Sequence, residues 1–399
     1  MALVTGYNED NGAQLSSNRF DFLEFEKNDN VSEELTFPDV SFTPPQIAVS
    51  GGRGRAYDRP DSLAEVRNSD SRGYESFIAQ ANQAAQTPEL STFQVKEVIG
   101  SPGTRAGQFN YPTGIAVDSS GVLFVADSYN HRLQRITPSG DVAIIGSRGF
   151  GHGQFLSPQG VAVDQNCAFY VVEQGNHRIQ KFSADGVCQL VFGRQGHKPG
   201  ELRGPTSLSI AAGTGDIYVS DTGNARVQRF DREGRFIATL GSSQVSVHAL
   251  GSPQALCNDA MDNLYVTDMT SHRIAQYDPT GRLAKNIFGA SENVAVGTLK
   301  RFESPRSITL DNSGLLYVGD NCGLAGANPG STGRLHVLDI LRGQSLSCLS
   351  AIGRGVGTIS VPGGLAVAPK LNGFVSQSGR SDVFVSDTAN HRVLRFGWT

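Results

Sequence analysis

Six carboxylates, each followed by an arginine, are the residues of this 399-residue chain whose types and spacing could do chemistry. In all but one copy the arginine follows its acid by five residues, and a histidine often precedes the arginine. Carboxylates beside guanidinium and imidazole groups could serve acid–base catalysis or hold a metal. The pairs are Asp127 with Arg132, Glu173 with Arg178, Asp221 with Arg226, Asp268 with Arg273, Asp320 with Arg334, and Asp387 with Arg392.

The recurrence of this pair argues for a structural role. Catalysis needs one site, whereas a repeated scaffold needs the same contact in every copy. An acid that ends one strand can pair with an arginine that opens the next, and together they can satisfy backbone groups of a loop. The histidines lie in equivalent turns, too far apart in a ring to share one metal: His131, His177, His272 and His391. We therefore predict no catalytic residue and no metal site.

The acids recur at steps of 46, 48, 47, 52 and 67 residues, a spacing typical of repeat architectures. Each unit contains four short runs rich in Val, Ile, Phe and Tyr between turn residues, such as GIAVD, LFVAD, RLQRI and DVAIIG in the first copy. Such runs are typical of strands, and no helical pattern separates them. The sequence predicts an all-β fold, a six-bladed β-propeller of about 24 strands.

The two ends of the repeat region predict how the ring closes. The last copy stops at HRVLRFGWT, a third strand, while FQVKEVIG before the first copy is a strand without a partner. Pairing the two removes an exposed sheet edge. We therefore predict a propeller over 93–399 that is closed by its N-terminal strand.

The first 92 residues lack the repeat and hold 7 Lys and Arg against 15 Asp and Glu, while the remainder holds 27 against 23. A polar, charged segment buries too little apolar surface to offset its ordering entropy. We predict an acidic, mostly disordered arm over 1–92. It contains one apolar stripe at helical spacing, which predicts a marginal short helix over 74–87.

The element GQF-x-x-P-x-G followed by N-H-R-[IV]-Q resembles the NHL repeat. It is most similar to the C-terminal propeller of tripartite-motif/NHL proteins. The resemblance implies an interaction platform for protein or RNA, in ubiquitin-ligase recruitment or post-transcriptional regulation. Those proteins usually carry a RING finger, a B-box and a coiled coil upstream. The 92 preceding residues contain no cysteine, so we predict that this chain does not itself encode RING ligase activity.

Two enzyme branches of similar propellers provide the alternatives. In the amidating-lyase branch, histidines after the proline of the GQF-x-x-P element bind zinc, but here those positions hold Thr113, Gln159, Thr206, Gln254, Arg306 and Gly363. Lactonase-like propellers hold calcium on convergent acidic and amide side chains, and no such set is evident. We predict a non-enzymatic protein without a cofactor.

The topology of a propeller sorts the loops between two faces. Loops between blades share a face with the turn between the second and third strands, and in this chain they hold nine Lys and Arg against three Glu. The turns between first and second strands are acidic instead. We predict that the basic face binds the partner. The predicted binding residues are Arg105, Tyr111, Tyr129, Arg148, His152, Arg194, His197, Lys198, Arg203, Lys300, Arg301, Arg306 and Arg354.

The partner class stays open between a protein and single-stranded RNA. RNA recognition usually stacks bases on aromatic side chains, and few aromatics are predicted on this face: Tyr111, Tyr129, Phe150 and Phe302. This slightly favours a protein. We expect no DNA or membrane partner and a monomeric chain. The N-terminus lacks the basic and apolar regions of a secretory signal, which favours a cytoplasmic location.

Overall fold

Six antiparallel sheets of four strands succeed one another along the part of the chain described by this computed structural model. The described residues are 93–242, 249–288, 302–322, 332–340, 344–350, 355, 358–369 and 380–398. All of them belong to one compact unit, 68–399. The predicted arm over 1–92 and its helix at 74–87 lie outside the described residues. The predicted six-bladed β-propeller is confirmed.

The first strand closes the ring, and blades 1 and 2 follow it. A short parallel pair stands in the loop before each of these blades. The closing strand is β1 (Phe93–Ile99), and the first short pair is β2 (Ser101–Pro102) with β3 (Gln108–Phe109). Blade 1 consists of β4 (Pro112–Val117), β5 (Leu123–Asp127), β6 (Arg132–Ile136) and β7 (Val142–Ile145). The second short pair is β8 (Ser147–Arg148) with β9 (Gln154–Phe155), and blade 2 consists of β10 (Pro158–Val163), β11 (Phe169–Glu173), β12 (Arg178–Phe182) and β13 (Cys188–Phe192).

The remaining blades repeat the same order from the inner to the outer strand. Blade 3 consists of β14 (Ser207–Ile210), β15 (Ile217–Asp221), β16 (Arg226–Phe230) and β17 (Phe236–Leu240). Blade 4 consists of β18 (Pro253–Asn258), β19 (Leu264–Asp268), β20 (Arg273–Tyr277) and β21 (Leu283–Phe288). Blade 5 consists of β22 (Pro305–Leu310), β23 (Leu315–Cys322), β24 (Thr332–Asp339) and β25 (Gln344–Ser350), and blade 6 consists of β26 (Pro362–Val367), β27 (Val383–Asp387) and β28 (Arg392–Trp398), completed by β1.

The hydrophobic core lies between the blades. Every residue of β5, β11, β15, β19 and β27 is buried, because a second strand is covered on both faces by neighbouring blades. One apolar cluster joins Val125 of blade 1 to Phe384 of blade 6, and another joins Phe124 of blade 1 to Phe169 of blade 2. Successive blades therefore stabilise one another, as expected of a closed repeat fold.

The predicted closure is also confirmed. β1 pairs antiparallel with β28, from Phe93 opposite Trp398 to Ile99 opposite Val393. The Phe93 ring lies 4.7 Å from the Trp398 ring and 5.4 Å from the Phe396 ring. The two ends of the propeller are thus joined by a backbone ladder and an aromatic cluster.

Short 3-10 helices link the second and third strands in three blades, at Ser128–Asn130, Thr222–Asn224 and Thr388–Asn390. The residue that follows each one is left-handed, and in two of these blades it is a histidine, with φ of 53° at His131 and 54° at His391. Non-glycine residues adopt this conformation rarely. The turn therefore orients the histidine side chain away from its own blade.

Candidate binding face

Two kinds of connection form one face of the propeller, which we call the top face. They are the loops between blades and the turns between second and third strands, since strands alternate in direction across each sheet. The turns between first and second strands and those between third and fourth strands form the bottom face. This assignment matches the one predicted from the repeat.

In five of the six blades the acid–arginine pair fixes a top-face loop of its own blade. Arg132 Nε donates to Asp127 Oδ2 at 2.7 Å, and its terminal nitrogens donate to the carbonyl oxygens of Thr104 and Arg105. Asp127 Oδ1 accepts from the amide of Asn110 at 2.7 Å. The acid is fully buried, so it is satisfied by these donors and not by water. The same pair occurs as Glu173 with Arg178, Asp221 with Arg226, Asp268 with Arg273, and Asp387 with Arg392.

Blade 5 departs from this pattern. Arg334 Nη1 pairs with Glu303 Oε1 at 3.1 Å, and His336 Nε2 lies 3.4 Å from Asp320 Oδ2. Strands β23 and β24 also continue their pairing upward to Cys322 opposite Thr332. The ladder between β23 and β24 is therefore longer at its top-face end, and residues 323–331 of the insertion lie outside the described ranges.

Three histidines of the repeat each accept a hydrogen bond from the backbone of the next blade. His131 Nδ1 accepts from the Ser157 amide of blade 2 at 3.0 Å, and His391 Nδ1 accepts from the Tyr111 amide of blade 1 at 3.0 Å. Burial, reinforced by the charge of Arg148, lowers the pKa of His131. The neutral form, which can accept at Nδ1, is therefore favoured. His177 makes the equivalent contact to Gly204 at 2.9 Å.

Sequence reasoning missed the glutamine that follows the arginine by two residues. Gln134 is fully buried, and its side-chain oxygen accepts from the Gly107 amide at 2.8 Å. Its amide group donates to the Gln108 carbonyl oxygen and to Asp127. Gln180 and Gln228 do the same in blades 2 and 3. Their identical spacing in the repeat was the signal that could have identified them.

The aromatic residue of the GQF element fills a slot beneath the loop. Phe109 is fully buried, and a Cβ on Gly100 would lie 2.2 Å from its ring. Phe302 fills the corresponding place in blade 5 and is 1% exposed. The prediction that Phe302 is an exposed aromatic on the binding face was therefore wrong. Its apolar ring is removed from water even though the rest of the GQF element is absent there.

Most of the predicted basic residues that the structure describes are exposed on the top face. Arg105, Arg148, Lys198 and Arg203 are exposed, as are His152 and His197. Lys300, Arg301 and Arg354 lie outside the described residues. Arg194 differs because its guanidinium donates to Glu201 Oε1 at 3.0 Å. This exposed pair reduces the positive charge around the loop before blade 3.

A pair of stacked tyrosines stands on the same face. The rings of Tyr111 and Tyr129 are 4.6 Å apart with an interplanar angle of 10°. Tyr129 is 43% exposed, and burial together with the charge of Tyr111 raises its pKa. Phe150, in the next loop, is 75% exposed. Blades 1 and 2 therefore present flat apolar surface beside the exposed arginines.

Arg306 is the predicted residue whose environment differs most from the others. It is the second residue of β22, so it lies at the top end of the innermost strand of blade 5. Its Nε atom is buried without a hydrogen-bond partner. Burial lowers the pKa of its guanidinium, while Tyr111 acts in the opposite direction.

Several acids of the turns between first and second strands are buried and hydrogen-bonded within the protein. Asp118 and Asp311 are each 7% exposed, and Asp118 Oδ1 accepts from the amides of Ser120 and Val122 at 2.8 and 2.9 Å. Asp382 pairs with Lys96 at 2.9 Å and with Arg395 at 2.7 Å. The expected negative surface was inferred from composition, and these hydrogen bonds reduce it.

The described residues bring no three His, Cys, Asp or Glu side chains together as a metal site requires. The repeated acids, arginines and histidines are instead separated, one set to each blade. Nor does any helix in the described ranges have the length and apolar character to cross a membrane.

Comparison with known proteins places the chain among repeat propellers. The NHL repeat family model matches 109–136, 155–182 and 202–230. This chain is 30% identical to Protein brain tumor of Drosophila melanogaster over 129 residues, which are 32% of its length. Over a stretch of the same length it is 29% identical to B-box type zinc finger protein ncl-1 of Caenorhabditis elegans. These matches span only 11% and 14% of those relatives.

Solved structures share the fold at low sequence identity. A protein of unknown function from Bacteroides thetaiotaomicron superimposes with a TM-score of 0.54 at 17% identity, covering 77% of this chain and 76% of that one. A streptogramin B lyase superimposes with a TM-score of 0.50 at 14% identity, covering 78% and 100%. Such identities establish the fold alone. The chain therefore contains NHL repeats in blades 1, 2 and 3 and folds as a six-bladed β-propeller.

Proposed function

We propose that this protein is a non-catalytic interaction platform that binds a protein partner on the top face of its propeller. The observation that carries the proposal is how the repeated polar residues are used. In blade 1 the acid, the arginine and the glutamine all bind loop backbone, and the histidine binds the loop of the next blade. These bonds hold the loops in fixed positions, and a preorganised surface loses less entropy on binding.

The exposed side chains of this face provide the chemistry of recognition. Tyr129 and Phe150 are exposed aromatics, and Arg148 lies in the same region. Aromatic and arginine side chains are enriched at protein interfaces. Lys198 and Arg203 extend the positive charge toward blade 3, which favours a partner with an acidic surface. We place this activity in the cytoplasm, with the chain as a monomer that recruits substrates or adaptors.

Single-stranded RNA is the second candidate. The stacked rings of Tyr111 and Tyr129 beside exposed arginines favour it, because unpaired bases stack on aromatic and guanidinium planes. The two candidates differ in their dependence on salt. Each phosphate contact releases a counterion, so RNA affinity falls steeply as the salt concentration rises.

The test reverses three exposed charges of the top face together. Arg105→Glu, Arg148→Glu and Arg203→Glu leave the buried acid–arginine pairs intact, so the fold should persist. The matched control is Asp141→Lys, Asp185→Lys and Glu233→Lys, which reverses three exposed charges in bottom-face turns. Affinity capture and crosslinked-RNA sequencing identify the partner, and its affinity is then measured with purified components.

We expect the top-face variant to bind the identified partner at least tenfold more weakly, or about 1.4 kcal/mol, and the control to bind normally. A partner lost by the control and retained by the top-face variant would contradict the assignment of the faces. If only RNA is recovered, and its affinity falls steeply as the salt concentration rises, then the partner is RNA and not a protein.

A further inference from the structure

Two tyrosines of blade 1 stand at top-face positions where the other blades have no aromatic residue. Tyr111 precedes the first proline of the inner strand, and Tyr129 is the second residue after the acid of the repeat. In the other blades the position of Tyr111 holds Ser157, Gly204, Ser252, Ser304 and Val361. The position of Tyr129 holds Gly175, Gly223, Thr270, Cys322 and Ala389. Blade 1 therefore departs from the repeat at both positions together.

The two departures are in direct contact. The ring centroids are 4.6 Å apart, and the ring planes are inclined by 10°. The backbone beneath each ring is also fixed, because the Tyr111 amide donates to His391 Nδ1 at 3.0 Å and the Tyr129 amide donates to the Asn110 carbonyl oxygen at 3.1 Å. We call this stacked pair of Tyr111 and Tyr129 the tyrosine platform.

The fold does not require these rings. Ser157 of blade 2 donates its amide to a histidine of the preceding blade at the same 3.0 Å, so this contact needs no aromatic side chain. Tyr111 has a φ of 61°, a left-handed conformation that is unusual for a bulky residue, whereas Ser157 and Gly204 adopt 50° and 52° at the same position. Strained residues of this kind cluster at functional sites, which favours a binding role for the pair.

The tyrosine platform is open to solvent. Tyr129 is 43% exposed, and it lies in the 3-10 turn between the second and third strands, on the top face. Tyr111 is half-buried. The pair therefore presents a flat apolar surface on which a further group can stack.

The loop beside the platform is basic. The side-chain amide of Asn130 donates to the Gly103 carbonyl oxygen at 2.9 Å, which holds the loop over 100–111 against the turn that contains Tyr129. This loop has no Asp or Glu, and its Arg105 is exposed. A cation would be repelled at this place, although cations often bind to aromatic faces. The platform therefore suits a neutral flat group with acidic residues next to it.

We propose that the tyrosine platform binds a proline of an extended, acidic segment of the protein partner. Proline has a compact apolar ring, and proline-rich segments dock on aromatic surfaces in the polyproline II conformation. The backbone of that conformation has no internal hydrogen bonds, so its carbonyl oxygens can accept from the phenol hydroxyl groups. The inference rests on the proposed function, since it names the chemistry of the partner at the same face.

A nucleobase is the competing ligand, and the platform suits it less well. RNA is bound by cations spaced along its backbone, and its unpaired bases are usually stacked on several aromatic or guanidinium planes. Tyr111 and Tyr129 cover each other, so together they provide one stacking position and not a row of them. One such position matches a single proline ring.

The test measures the binding of a fluorescein-labelled peptide to the full chain by fluorescence anisotropy. The peptide alternates pairs of prolines with single glutamates. One control peptide has alanine in place of every proline, and a second has lysine in place of every glutamate. We expect the first peptide to bind saturably and each control to bind at least about fivefold more weakly, since each lacks one of the two recognised features. A labelled uridine oligonucleotide is titrated separately.

The double variant Tyr111→Ser with Tyr129→Ala gives blade 1 the residue types that blades 2 and 6 have at these positions, so the fold should persist. Its affinity for the peptide should fall at least about tenfold. Phe236→Ala is the matched control, because it removes an aromatic side chain that is 36% exposed on the outer strand of blade 3, and it should leave the affinity unchanged. If the double variant does not fold, Tyr129→Ala alone, at an exposed turn residue, decides the question.

Three results would overturn the proposal: no saturable binding of the peptide, binding that a control peptide equals or the double variant retains, or tyrosine-dependent binding of the oligonucleotide without binding of the peptide. The last result would assign the platform to RNA.

Binding of the partner identified by affinity capture separates this site from the proposed function. If the double tyrosine variant retains that partner while the triple reversal of Arg105, Arg148 and Arg203 loses it, the face is right and this site is wrong. If neither variant weakens the partner, the proposed function itself fails.

Discussion

The Nδ1 atom of His391 in blade 6 accepts a hydrogen bond from the amide of Tyr111 in blade 1, at 3.0 Å across 280 residues of chain. The same contact joins His131 to Ser157 and His177 to Gly204. The histidine of the repeat is therefore a link between blades. It works as an acceptor only while Nδ1 is unprotonated.

This link predicts a dependence of stability on pH. Burial lowers the pKa of His131 and of His177, so the unfolded chain binds more protons than the folded chain below the ordinary histidine pKa near 6.5. The free energy of unfolding should therefore fall as the pH decreases from 7.5 to 5.5. Urea denaturation at both pH values measures the change.

Replacing both histidines by glutamine should flatten that dependence and lower stability at pH 7.5 by about 1 kcal/mol for each lost hydrogen bond. His152→Gln is the control, because His152 is exposed in a top-face loop. A double variant that keeps the full dependence on pH would show that other groups cause it.

The buried acid–arginine pairs should contribute strongly to stability. Asp127→Asn leaves the Arg132 guanidinium largely buried without its counter-charge, and removing one partner of a buried pair costs about 3 to 5 kcal/mol. Thermal and urea denaturation should show a loss of this size. Arg194→Gln affects the exposed pair with Glu201 and should change stability by no more than about 1 kcal/mol. Equal effects would mean that the repeated pair is dispensable.

The aromatic cluster at the closure should be essential to the ring. Phe93 is 6% exposed and packs on Trp398 and Phe396. Phe93→Ala should lower the free energy of unfolding by about 3 kcal/mol or more, and Phe150→Ala, at an exposed residue, by no more than about 0.5 kcal/mol. Fluorescence of Trp398, the single tryptophan, reports the unfolding directly. A small loss for Phe93→Ala would imply that backbone pairing alone closes the ring.

The seam between blades 6 and 1 is not completely filled by side chains. A cavity of about 260 Å³ there is lined by Ile99, Leu123 and Phe384, among others. Ile99 faces Val393 on the third strand as Phe192 faces Ile179 in blade 2, so the two positions are equivalent. Ile99→Phe should fill part of the cavity and raise stability by up to about 1 kcal/mol. A clear loss on urea denaturation would show that the seam cannot adjust to the larger ring.

The sequence by itself determined the number of blades, the order of the strands, the closure by β1 and the division of loops between two faces. These features follow from local patterns, namely short apolar runs, turn residues and a period that recurs six times. They also predicted that the acid–arginine pairs are structural, because a contact needed in every blade is written in every repeat.

Only the tertiary structure decided which side chains are available for binding. Phe302 belongs to the top-face loop in the sequence but is buried. The carboxylate of Asp118 accepts hydrogen bonds within its own turn. Arg194 is paired with Glu201, whereas the Nε atom of Arg306 is buried within the inner strand of blade 5. Burial and pairing depend on atoms brought together from distant parts of the chain. A pattern within one repeat contains no information about them, because the same local sequence can face solvent, a carboxylate or a neighbouring blade.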